Sequence, residues 1–101
     1  MIVIAGSARV RAEDLERAAA AGAEMGRQSR AEDGCLDYRF SFDLEDPTVV
    51  RVFECWASEE ALAAHFAAEH FAAFGTVIAE VVDGESEFTR YDVVRAGPLF
   101  G

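Results

Sequence analysis

The stretch Val49–Trp56, VVRVFECW, carries apolar side chains on both of its faces. Val50, Val52 and Trp56 share one parity, and Val49, Phe53 and Cys55 share the other. Successive side chains of a strand point to opposite sides of a sheet, so such a strand needs cover on both sides. A chain of 101 residues supplies one domain with a real core, expected to span residues 1–101. Its own helices can cover one face. The other face asks for a second copy of the sheet.

Periodicity places the remaining elements. Ile2 to Val10 alternates as a first strand, with Ile2, Ile4, Gly6, Ala8 and Val10 on one face. Ala12–Arg30 predicts a helix, acidic at its start (Glu13, Asp14) and basic at its end (Arg27, Arg30), as the helix dipole prefers. Leu15, Ala18, Ala19, Gly22, Met25 and Gly26 recur at helical spacing and give it a face of small residues that can lie close to a sheet. Glu32-Asp33-Gly34 makes a turn. In Cys35–Asp43, Leu36, Tyr38, Phe40 and Phe42 alternate with polar residues, the clearest strand pattern in the chain. Leu44–Thr48 joins it to Val49–Trp56 as a hairpin.

Ser58 is a good helix N-cap, and Glu59 and Glu60 follow it in the first turn. The Ala-rich segment beyond it is helical, with a break expected near Glu69 or Gly75, and Asp83-Gly84 ends it. Glu85–Arg95 is a last strand that fails to keep one parity, which suggests a bulge. The order β-α-β-β-α-β is that of an α+β, ferredoxin-like domain with a four-stranded antiparallel sheet. Two helices cover only one face of it, so a homodimer through the sheets is expected.

Charge and composition exclude several classes. A net charge of −10 opposes nucleic acid and anionic membrane surfaces. No apolar run approaches the ~20 residues of a membrane span. The opening MIVIAGSARVR has its basic residues on the wrong side for a signal peptide, so the cytoplasm is expected. Cys35 and Cys55 read as free thiols in a reducing compartment. The glycines at 22, 26, 34 and 75 are isolated, which leaves no dinucleotide or phosphate loop.

The stretch Phe53–Phe74 holds the only Trp, both His and four of the eight Phe. His65 and His70 are the natural acid–base groups, because imidazole titrates near neutral pH. A structural role is open to each: His65 on a packed helix face, His70 as a cap or surface residue. On a straight helix the pair lies about 140° apart. That is not the i, i+4 pairing of a zinc helix, and the cysteines show no ligand spacing, so no metal is expected. His65 shares its helix face with Leu62 and Phe66 and is expected to border a pocket under the helix as proton acceptor. His70 reaches the same cavity only if the helix breaks near Glu69. Trp56 can wall an aromatic pocket or close the core. Tyr38 and Glu54 can pair across the hairpin and offer a polar group, or Glu54 can bridge Arg39 or Arg51.

Gly34-Cys35-Leu36-Asp37-Tyr38, then Phe53-Glu54-x-Trp56-x-Ser58, then His65-x4-His70-Phe71-x2-Phe74 resembles the antibiotic biosynthesis monooxygenase family. The spacing of the two His is most similar to its quinol monooxygenase branch. The resemblance implies a dimeric ferredoxin-like α/β barrel with a pocket in each subunit between sheet and helices. It implies oxidation of quinols or aromatic polyketides by dioxygen without metal or flavin; relatives degrade haem or isomerise small sugar-derived signals. Val52 stands where polyketide-oxidising relatives carry Asn, and Leu62 where they carry Tyr. The chain has no Asn at all, whereas haem-degrading relatives use one near the end of the first strand.

The expectation is a cofactor-independent monooxygenase acting on a quinol-like or polycyclic phenolic substrate. His65 and His70 would be catalytic, and Trp56, Tyr38, Glu54, Leu62, Phe66 and Phe74 would bind the substrate. Two alternatives stand beside it. One is an isomerase or lyase using the same His base on a small carbonyl compound; the other is a non-catalytic dimer that binds a small molecule.

Overall fold

The strand with two apolar faces takes an interior place in the sheet. In the computed structural model, which describes all of residues 1–101, the strands are β1 (Ile2–Val10), β2 (Cys35–Phe42), β3 (Val49–Trp56) and β4 (Val82–Asp92). The helices are α1 (Leu15–Arg30), α2 (Glu59–Phe66) and α3 (Glu69–Val81). All strand pairs are antiparallel and the order is β2-β3-β1-β4, the ferredoxin-like arrangement.

On one face of the sheet, Ile2, Tyr38, Val52 and Trp56 meet Met25 of α1 and Ala61 and Leu62 of α2 in the main core. A smaller cluster of Val10, Ala18 and Val81 closes the far end. The small face of α1 packs as its spacing implies at four of its six positions; Leu15 is half-buried and Ala19 is exposed. Ala18, Gly22, Met25, Gly26 and Ser29 are buried, and a Cβ on Gly22 would already stand 3.4 Å from the Phe40 ring. The opposite face of the sheet presents Val3, Ala5, Phe53, Cys55 and Tyr91 across the register Val3↔Cys55, Ala5↔Phe53 and Val3↔Tyr91. Phe53 and Tyr91 are exposed there. No single helix is long and apolar enough to cross a membrane.

Several boundaries differ from the sequence reading. The first helix is preceded by a separate 3-10 turn, Ala12–Asp14. β4 begins at Val82, so Asp83-Gly84 lies within a strand, with Gly84 at φ +100°. The bulge expected within Glu85–Arg95 is not there, since Ser86 to Asp92 pair in continuous register and β4 ends at Asp92; the irregularity lies earlier, where Ala8 pairs with Ser86 but Val10 with Val82. Cys35 pairs with Trp56 and Cys55 with Asp37, so the thiols are offset by one position; both are free.

The second helical segment is two helices. α2 starts at Ser58, whose Oγ accepts the Ala61 N–H at 3.2 Å. It ends at Ala67, whose N–H is shared between the carbonyls of Ala63 and Ala64. Ala68 is extended (φ −73°, ψ 147°), and α3 leaves at 59° to α2. The break precedes Glu69, and Gly75 lies inside α3.

The turn after α1 is set against α2. Gly34 has φ +82°, and a Cβ on it would stand 2.5 Å from the Cβ of Ala61. Only glycine fits there on both counts. The Gly34 carbonyl accepts the Ala57 N–H at 2.8 Å. This contact brings the turn residue Glu32 to the helix break.

Candidate functional site

The break between α2 and α3 turns His70 back toward His65. Both imidazoles converge on one oxygen: His65 Nδ1 lies 2.6 Å and His70 Nε2 2.9 Å from Oε2 of Glu32. With the ionised carboxylate as shared acceptor, each ring donates an N–H. His65 is then the Nδ1–H tautomer, with its lone pair on Nε2. His65 is 1% exposed. Its ring packs on Trp56 (centroids 4.5 Å apart), Phe71 (5.3 Å) and Tyr38 (5.4 Å). Glu32 thus fixes the tautomer and orientation of a buried imidazole, as the acid of an acid–base triad does.

Beside this group lies an apolar cavity of about 210 Å³ between the sheet and the α1 and α3 helices. Phe40, Val52, Phe71 and Phe74 line it, and Phe88 of β4 lies at its edge. Phe88 occupies space that any side chain on Gly6 would take, since a Cβ there would stand 2.3 Å from its ring. The polar side chains on the wall are Ser7, Tyr38, Glu54 and Ser86.

Glu54 is 6% exposed, and one of its oxygens accepts the indole N–H of Trp56 at 3.0 Å. Burial pushes its carboxyl above the usual carboxylate range, against the indole hydrogen bond, which pulls it down. Burial, with the Glu54 charge behind it, also drives the Tyr38 hydroxyl well above its ordinary range, so Tyr38 faces the cavity as a neutral phenol. The Cys35 thiol is pushed up to about 11, first by burial and then by Glu32, and is no nucleophile.

The raised Glu54 pKa has a testable sign. A carboxyl that binds its proton more tightly when folded favours folding below the ordinary carboxylate range. That contribution is lost as pH rises toward the raised value. Glu54→Gln keeps an oxygen for the Trp56 N–H and removes the buried charge. It is expected to raise the melting temperature at pH 7 by a few degrees, at about 4–8 °C per kcal/mol for a domain of this size, with the gap closing near pH 4. Thermal unfolding of both proteins at the two pH values checks this; a variant less stable at pH 7 would contradict it.

The structure brings His65, Trp56, Tyr38 and Glu54 together, joins His70 to them through Glu32, and puts Phe74 on the cavity wall. Three residues expected to bind substrate sit elsewhere. Leu62 is core. Phe66 is half exposed and packs edge-on against Phe71 (centroids 5.3 Å apart) on the outer side of His65. Trp56 is fully buried behind Glu54 and does not line the cavity. His65 also stands one side chain behind the wall, with Tyr38 and Phe71 in front of it. Glu32 is the residue that sequence reasoning missed. It reads as an ordinary acidic turn residue, and only the contact of Gly34 with α2 places it.

A family model described as antibiotic biosynthesis monooxygenase matches residues 1–77. An uncharacterised Synechocystis protein is 28% identical over 98 residues, covering 97% of this chain and 67% of that protein. Among solved structures, a candidate antibiotic biosynthesis monooxygenase from Deinococcus radiodurans superposes with TM-score 0.91 at 24% identity, over 100% of both chains. A Bacteroides thetaiotaomicron protein of unknown function does so with TM-score 0.82 at 29% identity, over 89% of this chain and 94% of that one.

Proposed function

We propose, for a chain that belongs to the antibiotic biosynthesis monooxygenase family, cofactor-independent oxidation of a quinol-like or phenolic substrate by dioxygen. The observation that carries this reading is the apolar cavity with Tyr38 and Glu54 on its wall and the Glu32-held His65 directly behind. An electron-rich phenol, once deprotonated, can pass an electron to dioxygen unaided. The protein need only take the proton, exclude water and hold the reactants together. The stoichiometry closes without a reductant: a hydroquinone and one dioxygen give a hydroxyquinone and one water.

In this reading Glu54 and Tyr38 meet the substrate's oxygens, and His65 receives the abstracted proton through them on Nε2. Phe71 and Phe74 hold the ring. The cavity is smaller than the ~300–1,000 Å³ of drug-sized ligand sites, which favours one or two rings over a larger polycycle. Oxygen uptake with a panel of one- and two-ring hydroquinones tests the proposal. Binding in the cavity without oxygen uptake would leave a binding protein. Conversion of a small carbonyl compound without oxygen uptake would leave an isomerase or lyase.

The same reading includes a homodimer. Phe53 and Tyr91 on the outer face are covered in it by a second sheet, in a contact above about 2,000 Å² in total. A monomer by light scattering at micromolar concentration would count against it. The free thiols of Cys35 and Cys55 suit the reducing cytoplasm.

A further inference from the structure

Oε2 of Glu32, Nδ1 of His65 and Nε2 of His70 all lie within 4.8 Å of one another. They come from three separate elements: the turn after α1, α2 and α3. One carboxylate and two imidazoles form the donor set of His₂Glu zinc centres, in which three protein ligands leave a position open. Donors bound at about 2.0–2.1 Å stand roughly 3.0–3.5 Å apart. The present N···O separations of 2.6 and 2.9 Å therefore need to widen by about 0.1–0.9 Å, a side-chain adjustment among donors already within 4.8 Å of one another. A pair at i, i+5 is unsuited to one ion only on a straight helix, and the 59° turn between α2 and α3 removes that obstacle.

The cluster also has an access route. His65 is sealed, but the side chains of Glu32 and His70 are 16% and 17% exposed. Beyond His70 runs an open groove between α1 and α3 whose lining includes Glu24, Gln28 and Glu69. Glu24 at that mouth is paired with Arg27, which leaves the Glu69 carboxylate, on a chain of net charge −10, to draw cations toward it.

We propose that Glu32, His65 and His70 form a binding site for a divalent transition ion of the zinc type. Binding replaces two N–H···O hydrogen bonds with two nitrogen–metal bonds and one oxygen–metal bond. Each imidazole exchanges its ring proton to the other nitrogen, Nε2 of His65 and Nδ1 of His70, and stays neutral. The ion ties both helices to the turn and stabilises the fold. It also places a proton on His65 Nε2, where the proposed oxidation needs a lone pair, so it acts as an inhibitor. The inhibitory consequence rests on the monooxygenase reading; the binding does not.

The test is a zinc titration of chelator-treated, dialysed protein by calorimetry and thermal unfolding, with oxygen uptake followed in parallel. One ion per chain at micromolar affinity or tighter is expected, with a melting temperature raised by several degrees. His70→Ala and Glu32→Gln should each weaken binding by at least tenfold, and Glu69→Gln by no more than a few-fold. Cobalt in place of zinc should show the visible absorption of a tetrahedral site in wild type and lose it in His70→Ala. No binding below about 100 μM, or equal binding by His70→Ala, overturns the proposal and leaves a hydrogen-bonded trio only. Stoichiometric binding with unchanged oxygen uptake keeps the site and refutes the role of His65. Absence of oxygen uptake before zinc is added counts against the oxidation, while the isotherm still decides the site.

Discussion

His65→Ala is expected to lower turnover of an active hydroquinone by about 10²-fold or more, the usual scale for losing a general base. The side chain is sealed from water, and its one hydrogen bond to Glu32 leaves Nε2 as its acceptor. Tyr38 and Glu54 border the cavity, but Tyr38 is a neutral phenol and a poor base, and in the proposed reading Glu54 passes the proton it meets on to His65. Removing His65 takes away the group into which their proton passes. It also frees Glu32 from one partner, so stability must be followed alongside rate. A purely structural role would lower the melting temperature and the folded fraction while leaving the pH profile of the remaining activity in place. A proton-accepting role changes that profile. His70→Ala leaves the His65–Glu32 bond intact, and its effect should be smaller and fall mainly on binding. Oxygen uptake at several pH values for the three proteins decides the matter. If folded His65→Ala keeps full activity and an unchanged profile, the substrate's own ionisation performs the deprotonation.

Much of this site was legible in the residues, and the part that was not has a physical cause. Strand parities put Tyr38 with Phe40 on one face of Cys35–Phe42 and Val52 with Trp56 on one face of Val49–Trp56, because alternation follows directly from the pleat; which face the helices cover was decided only by packing. Ser58 marked the start of α2 by its capping chemistry, and Gly34 the turn. A break near Glu69 or Gly75 was expected, but nothing in the residues singled out Ala67-Ala68. Alanine is the best helix former, so local propensity argues for continuation there and only packing against the rest of the chain ends the helix. The separation of the two His by about 140° held only for a straight helix; with the break, both reach Glu32, the alternative that the sequence left open for His70. Glu32 was hidden for a related reason. Its partners are 33 and 38 residues away, and no short-range pattern encodes a contact made by the docking of a turn on a helix.

Trp56→Ala is expected to destabilise the domain by about 3–5 kcal/mol, the range for truncating a large core aromatic. The sequence allowed Trp56 either a cavity wall or the core; at 0% exposure, among Ile2, Tyr38, Val52 and Leu62, it belongs to the core. Its loss opens a void beneath His65, which rests on the indole, and strips Glu54 of its only hydrogen-bond donor. The second effect can be separated. Trp56→Phe fills most of the space but has no N–H, and should cost about 1–3 kcal/mol for the orphaned acceptor. It should also raise the Glu54 carboxyl further, since the indole bond is the strongest influence holding it down. Against a total stability of about 5–15 kcal/mol for such domains, Trp56→Ala lowers the melting temperature by more than about 12 °C, and Trp56→Phe by much less. Thermal unfolding of the three proteins, with titration of an aromatic ligand, tests both parts. A Trp56→Ala protein that melts like wild type but no longer binds the ligand would move Trp56 from the core to the cavity wall. Glu54 would then have lost a neighbour in the substrate site and not the support behind it.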